Sequence, residues 1–382
     1  MGTAALRVAM VAGEASGDLL GARVISALRR QFGDRLLVEG VGGEAMQAAG
    51  LRSLYPLERL AVMGLVEPLA RLPELLRIRR ELVERFSTQQ PRFFLGIDAQ
   101  DFNLGLARRL RDRGLRTAQL VSPTVWAWRP RRVHRVARAL DTLLCLFPFE
   151  PPYYEGLDVD ARFVGHPLAE ELAEVPERAA ARATLGIAPG ATVIALLPGS
   201  RQGEVEQLAS TFIDAGALLR SRSPDRLLLM PAAGEARYGQ CQSILAQHPR
   251  GADVRLLRGE ARTAMLAADV VLLASGTASL EAMLLQRPMV IAYRVAPLTW
   301  SIMSRLAVTR FVGLPNVLAG DAVVPELLQD ALSAPALALA AEDLLFAPQR
   351  QLEVLAAQRG ALRADFDAEV VDALRPLLED RA

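Results

Sequence analysis

The 382-residue sequence contains no lysine; apart from three histidines, its cationic side chains are all arginine. That absence excludes a Schiff-base lysine, a P-loop lysine and a lysine general base. Any anion bound here must be held by guanidinium forks, helix N-termini or backbone N–H groups. Cysteine is almost as scarce: Cys145 and Cys241 stand far apart without metal-ligand spacing, and read as buried small hydrophobes in a reducing compartment. His134, His166 and His248 do not cluster, so no metal site is expected. Net charge is nearly absent, at formal +1, which leaves no electrostatic footprint for nucleic acid. Long apolar runs are also missing. The longest charge-free stretch, 183–200, carries Gly186, Pro189 and Gly190 and reads as helix end, turn and buried strand. The first apolar stretch is followed at once by Glu14 and Asp18 and has no cationic segment before it, unlike a secretory signal. A cytoplasmic location follows as the expectation, compatible with attachment to a membrane surface.

What is present is ample apolar content, 51% of residues, in a chain too long for one comfortable core. Short apolar runs ending in Gly, Ser or Asp alternate with helix-period segments. In the first half they are 6–12, 93–97, 117–121 and 142–147, with a further strand ending at Val164. In the second half they are 192–197, 227–230, 254–257, 270–274 and 289–292. Strands alternating with helices predict an α/β protein of two parallel-sheet domains with helices on both faces. The charged, Ala-rich stretch 169–189 separates the two series. The expected division is 1–172, 173–345 and a helical tail, 346–382, packing back on the first domain.

Ligands of doubly wound sheets sit at the C-terminal strand ends, and four such loops carry chemistry. After the first strand, Gly13 and Gly17 let backbone approach a ligand, Ser16 can cap a helix, and Glu14 is a candidate base. In 96–103, Asp98 and Asp101 open a helix, one free to cap and the other to accept a proton, with Asn103 beside them. Gly199, Ser200 and Arg201 combine turn N–H donors with a guanidinium, an anion site in a lysine-free chain. Ser275, Gly276 and Thr277 start a helix suited to a diphosphate, and Glu281 follows one turn later, within reach of a ribose diol. Two patterns are set aside: the 40–43 run GVGG lacks the full dinucleotide spacing, and Asp158-Val159-Asp160 precedes a strand, the wrong place for a metal-binding DxD.

These loops, with SPTVWAWR at 122–129, FPFE at 147–150, VGHP at 164–167, LPNVLAG at 314–320 and PELLQ at 325–329, resemble the lipid-A-disaccharide synthase family over nearly the whole chain, in order. The resemblance implies a GT-B fold, two Rossmann-like domains facing a cleft. It implies an inverting glycosyltransferase joining UDP-2,3-diacylglucosamine to 2,3-diacylglucosamine 1-phosphate, with UDP in the second domain and no cofactor. Asp101 is the first choice of base, Asp98 the second and Glu14 the third. Gly199, Ser200, Arg201, Ser275, Gly276, Thr277, Glu281, Asn316 and Gln329 are expected around UDP. Ser16, Asn103, Trp128 and Arg129 are expected around the acceptor. One departure stands out: the family often has Pro-Asp before the strand at 93–97, where this chain has Pro91-Arg92.

Acylated substrates imply contact with cytoplasmic-face lipids of the inner membrane. The segment 57–76 is apolar and flanked by arginines, as suits an interfacial helix, and Met63, Leu65, Val66 and Leu69 are the expected contacts. A second apolar stretch with arginines spans 297–312. Trp126 and Trp128, followed by Arg129, Arg131, Arg132, Arg135 and Arg138, make a basic and aromatic patch that suits a phosphate or lipid headgroups. An epimerase or a soluble-sugar transferase would need no such apolar segment. Whether two chains pair, with or without exchange of the C-terminal helices, the residues leave open.

Overall fold

A computed structural model describes residues 5–60, 67–296, 300–301, 305 and 308–378, with only the backbone described at 67–70. It contains two parallel sheets. The first is built from β1 (Leu6–Ala12), β2 (Leu36–Val41), β3 (Leu51–Ser53), β4 (Phe93–Ile97), β5 (Arg116–Leu120), β6 (Thr142–Cys145) and β7 (Asp160–Phe163), in the order β3-β2-β1-β4-β5-β6-β7. The second is built from β8 (Val193–Leu197), β9 (Leu227–Ala232), β10 (Val254–Arg258), β11 (Val270–Ala274), β12 (Met289–Tyr293) and β13 (Glu326–Leu328), in the order β10-β9-β8-β11-β12-β13.

The central strands are buried along their length: β4, β8 and β11 have every residue inside, as a sheet covered on both faces requires. One face of the first sheet packs Val24, Ile25 and Leu28 of the Ala15–Phe32 helix, and the other packs Ile78, Phe86, Leu104 and Val136. The second sheet buries Phe212, Ile213 and Leu337 against β8 and β11. Three strands beyond those read from the sequence complete the sheets: β2, β3 and β13. β2 exposes Leu37 and carries Glu39, so its apolar pattern is broken. Gly40 within it lies where a Cβ would stand 1.7 Å from the Met10 carbonyl oxygen, so close pairing with β1 demands glycine. β3 and β13 are three-residue edge strands, too short for periodicity to register.

The described residues up to Glu170, together with those from Leu362 on, form one unit, and Glu171–Ala361 form the other. The expectation that all of 346–382 joins the first domain needs correcting for its first half. The Gln349–Ala361 helix stays with the second unit because the buried Gln351 side chain bonds both backbone groups of Met289, accepting from its N–H at 2.7 Å and donating to its carbonyl at 3.2 Å. Gln358 donates to the Pro315 carbonyl at 2.6 Å. The Phe366–Leu378 helix is the part that packs in the first unit, where Arg23 lies over the Phe366 ring and pairs with Asp367 at 2.8 Å.

Candidate active site

Each sheet reverses its winding once, between β1 and β4 in the first unit and between β8 and β11 in the second. Crevices of doubly wound sheets open at such switch points, beyond the carboxyl ends of the strands. The four loops singled out in the sequence are the loops that follow those four strands.

In the first unit the loops after β1 and β4 touch. A Cβ at Gly13 would lie 2.3 Å from the Ala99 Cβ, so glycine there is a condition of their approach. The β4 loop is held in an unusual shape. Asp98 and Ala99 are consecutive non-glycine residues at φ 52° and 39°, a left-handed conformation costing about 1–2 kcal/mol per residue. Side chains clamp it: the Asp98 carbonyl accepts the Asn103 amide at 2.9 Å and the Gln119 amide at 2.8 Å. Asn103 also donates to the Val11 carbonyl at 3.1 Å, tying the ends of β1 and β4 together. Asn103, expected near the acceptor, is fully buried and clamps this loop. Gly96 leaves the room, since a Cβ there would stand 2.3 Å from Gln119 Oε1.

Clamping presents the Asp98 carboxyl in a half-buried position. Burial raises its pKa, opposed by hydrogen bonds from the Ala99 N–H and from Ser16, whose Oγ lies 3.4 Å from Oδ2. Asp101, one helical turn on, is different. Its side chain is 79% exposed, and Arg132 holds its Oδ1 at 2.5 Å with Arg135 at 3.8 Å. Asp98 is thus half-buried behind its clamp, whereas Asp101, the first choice of base, is exposed and paired with Arg132. Glu14 is exposed at the N-cap of the Ala15–Phe32 helix. Asp18, in the first turn of that helix, accepts the N–H groups of Gly43, Ala45 and Met46 at 2.8, 3.0 and 3.0 Å, and a Cβ at Gly43 would stand 2.5 Å from its Oδ2, so that contact needs glycine there. Trp128 is 39% exposed, with its indole N–H on Thr124 Oγ1 at 3.0 Å and the Arg129 guanidinium 4.6 Å from its ring centre.

Glu150 is buried after β6 and accepts the Phe147 N–H at 3.1 Å; burial pushes its carboxyl up to about 8. Phe147 and Phe149 stack at 5.6 Å, Trp126 meets Phe149 edge-on at 5.4 Å, and burial pulls His166 beside them down to about 4. Asp158 pairs with Arg111 at 3.1 Å, and Asp160 pairs with Arg162 at 2.8 Å.

In the second unit the loop after β8 turns at Gly199, φ 124°, where a Cβ would collide with Glu204 at 2.5 Å. Glu204 Oε2 accepts the N–H groups of Ser200 at 3.1 Å and Arg201 at 3.2 Å, and Oε1 meets the Arg201 guanidinium at 3.2 Å. The turn amides are thus occupied by a capping carboxylate, while the Arg201 side chain is 80% exposed and can swing to an anion. After β11, Gly276 and Thr277 are exposed at the start of the Thr277–Leu284 helix, and Ser275 Oγ donates to the Val312 carbonyl at 3.1 Å. Glu281 is half-buried, and burial raises its pKa, opposed by Arg262. The Asn316 side chain is buried and fully engaged, donating to the Val324 carbonyl at 2.8 Å and Glu326 at 2.7 Å and accepting from the N–H groups of Val323 and Val324. These bonds hold the loop 323–326 against the Leu314–Ala319 helix. Gln329, φ 48°, accepts the Val295 N–H at 3.4 Å, and its buried Nε2 finds no partner among the described residues.

Gln119, Glu204 and Glu326 were not singled out from the sequence. For Glu204 a signal existed: a carboxylate three residues into a helix is the second half of a capping box. Of the expected membrane contacts, Met63, Leu65 and Val66 lie outside the described residues, as does part of 297–312. Leu69 falls in the Glu67–Gln89 helix. Among the described residues, no helix is long and apolar enough to cross a membrane.

Two parallel sheets of this order define a GT-B protein, and solved structures agree on the fold. A UDP-GlcNAc 2-epimerase from Neisseria meningitidis bound to UDP-GlcNAc superposes with a TM-score of 0.62 at 12% identity, covering 98% of this chain and 100% of its own. MurG from Acinetobacter baumannii gives 0.58 at 13%, covering 97% and 99%. The family model described as lipid-A-disaccharide synthetase matches residues 8–362. A lipid-A-disaccharide synthase from Pseudomonas aeruginosa is 48% identical over 98% of this chain and 99% of its own length, and one from Azotobacter vinelandii is 48% identical over 98% of each. The chain belongs to the lipid-A-disaccharide synthase family, UDP-sugar-dependent glycosyltransferases of lipid A biosynthesis.

Proposed function

We propose that the chain transfers a 2,3-diacylglucosamine residue from its UDP derivative to 2,3-diacylglucosamine 1-phosphate, with inversion, giving the β-1,6-linked disaccharide 1-phosphate and UDP. Asp98 is the base. It takes the proton of the acceptor's 6-hydroxyl as that oxygen attacks the anomeric carbon, and the bond from that carbon to the UDP oxygen breaks. The half-buried, strained position of Asp98 at the switch point of the first unit carries this assignment. Burial makes the carboxyl more basic than a solvated carboxylate, as suits a general base. Asp101 acts through Arg132 and Arg135 as a positioning residue, and Ser16 orients Asp98. Glu14, Trp128 and Arg129 line the acceptor side.

Charge develops on the departing diphosphate, and the second unit supplies what answers it. Arg201 offers a mobile guanidinium, and the helix opening at Ser275–Thr277 offers N–H donors at its positive end. Gly199 and Ser200 shape the first loop, Glu281 binds the ribose diol, and the unpartnered Gln329 amide donates to the nucleotide. Membrane attachment is peripheral, on the cytoplasmic face, through the segment around Met63, Leu65, Val66 and Leu69. Incubation with the two acylated substrates tests the reaction: UDP and disaccharide 1-phosphate form together. No UDP release from that pair, with turnover of UDP-N-acetylglucosamine instead, contradicts it.

A further inference from the structure

Three helices of the first unit, Glu67–Gln89, Gln100–Arg111 and Val133–Ala139, bring arginines together. A cavity of about 330 Å³ is lined by Gly105, Arg108, Arg109, Arg135 and Arg138. Arg79 lies beside it, against one of the lining residues: a Cβ at Gly105 would stand 2.3 Å from its Nη1, so its guanidinium rests on bare backbone. Its buried Nε has no hydrogen-bond partner among the described residues, and its ring contact is distant, 5.9 Å to the centre of Phe102. Burial lowers the Arg79 pKa, and the charges of Arg109 and Arg135 lower it further. Among the described residues no carboxylate pairs with Arg79, Arg109 or Arg138. The acids at the margin are Asp112, 3.0 Å from Arg108, and Asp101, 3.8 Å from Arg135.

Guanidiniums crowded around one cavity repel one another, and a buried unsatisfied donor is costly. Both penalties are relieved by a tetrahedral dianion or monoanion with several oxygens, which fits guanidinium forks. We propose that Arg79, Arg109 and Arg135 form a phosphate-binding site distinct from the loops that bind UDP. The phosphate belongs either to the acceptor sugar or to a lipid headgroup. Arg135 touches Asp101 at the head of the helix that follows Asp98, so an occupied site is coupled to the placement of the base loop.

The experiment compares Arg109→Gln/Arg135→Gln with Arg7→Gln/Arg35→Gln, which removes the same charge from exposed positions at the start of β1 and just before β2. Gly105→Ala is the second variant; it displaces the Arg79 guanidinium without removing any charge. One arm measures KM for 2,3-diacylglucosamine 1-phosphate and for its dephosphorylated analogue at saturating UDP-sugar. The other measures flotation on vesicles of phosphatidylglycerol in phosphatidylcholine. Loss of charge-assisted hydrogen bonds to phosphate is expected to weaken binding about 10- to 100-fold. A KM rise confined to the phosphorylated acceptor assigns the site to the sugar phosphate. Weaker flotation than the control pair, with KM unchanged, assigns it to lipid headgroups. Effects equal to those of the control pair in both arms, with no effect of Gly105→Ala, overturn the proposal. The acceptor arm rests on the proposed reaction. If the wild-type chain turns over neither acceptor, that reaction fails while flotation still decides the site.

Discussion

Replacing Asn103 by alanine should damage both the fold of the first unit and its chemistry. The side chain donates to the Val11 carbonyl at 3.1 Å and the Asp98 carbonyl at 2.9 Å; its third contact, to the Ile97 carbonyl, is long at 3.4 Å. Two good bonds contribute about 1 kcal/mol each, and the cavity left by a fully buried side chain adds about 1 kcal/mol more, while the Asp98 carbonyl keeps the Gln119 amide. Asn103 Oδ1 is itself buried without a partner, so its removal returns part of this. A net loss of about 2–3 kcal/mol lowers the melting temperature by about 5–10 °C in a unit of this size. Because the Asp98 carbonyl also loses a clamp on a strained backbone, kcat should fall at least about 10-fold. UDP affinity should hold, since its proposed loops belong to the other unit. Differential scanning fluorimetry, steady-state kinetics and UDP titration read the three quantities. A variant that melts lower yet keeps full kcat would refute the link between the clamp and the base.

Further outcomes follow from the same contacts. Arg201→Ala should weaken UDP binding about 10- to 100-fold, read by calorimetry; unchanged affinity removes its diphosphate role. Glu204→Gln should cost about 1 kcal/mol of stability by loosening the cap, visible as a lower melting temperature of the second unit; an unaltered melt would contradict the capping geometry. Glu150 has a pKa of about 8 in the fold and about 4.3 unfolded, so its contribution to stability is fully present below about 4 and is lost as the pH rises through 8. Glu150→Gln should therefore gain on the wild type as the pH is raised from about 6 to about 9, and parallel melting curves would refute the burial of that carboxyl.

The two sheets were legible because fully buried parallel strands are continuous apolar runs closed by turn residues, as at 93–97 and 270–274. β2 escaped because Glu39 and Leu37 face outward, and β13 because three residues carry no period. The site loops were legible as glycine and small polar residues at strand ends. The roles within them were not. Asp98 and Asp101 look alike along the chain, and only the placement of Arg132 and Arg135 in space separates a held carboxylate from a half-buried one. Asn103 and Asn316 are polar residues in the right motifs, yet burial turns both inward, toward backbone groups that spacing cannot reveal.

The most direct test compares kcat for Asp98→Asn and Asp101→Asn with the two acylated substrates, with UDP affinity measured alongside. Asp98→Asn should lose about 100- to 10,000-fold in kcat while binding UDP as before, and Asp101→Asn should stay within about 10-fold of the wild type. Near-normal turnover by Asp98→Asn, with turnover abolished in Asp101→Asn, would contradict the account.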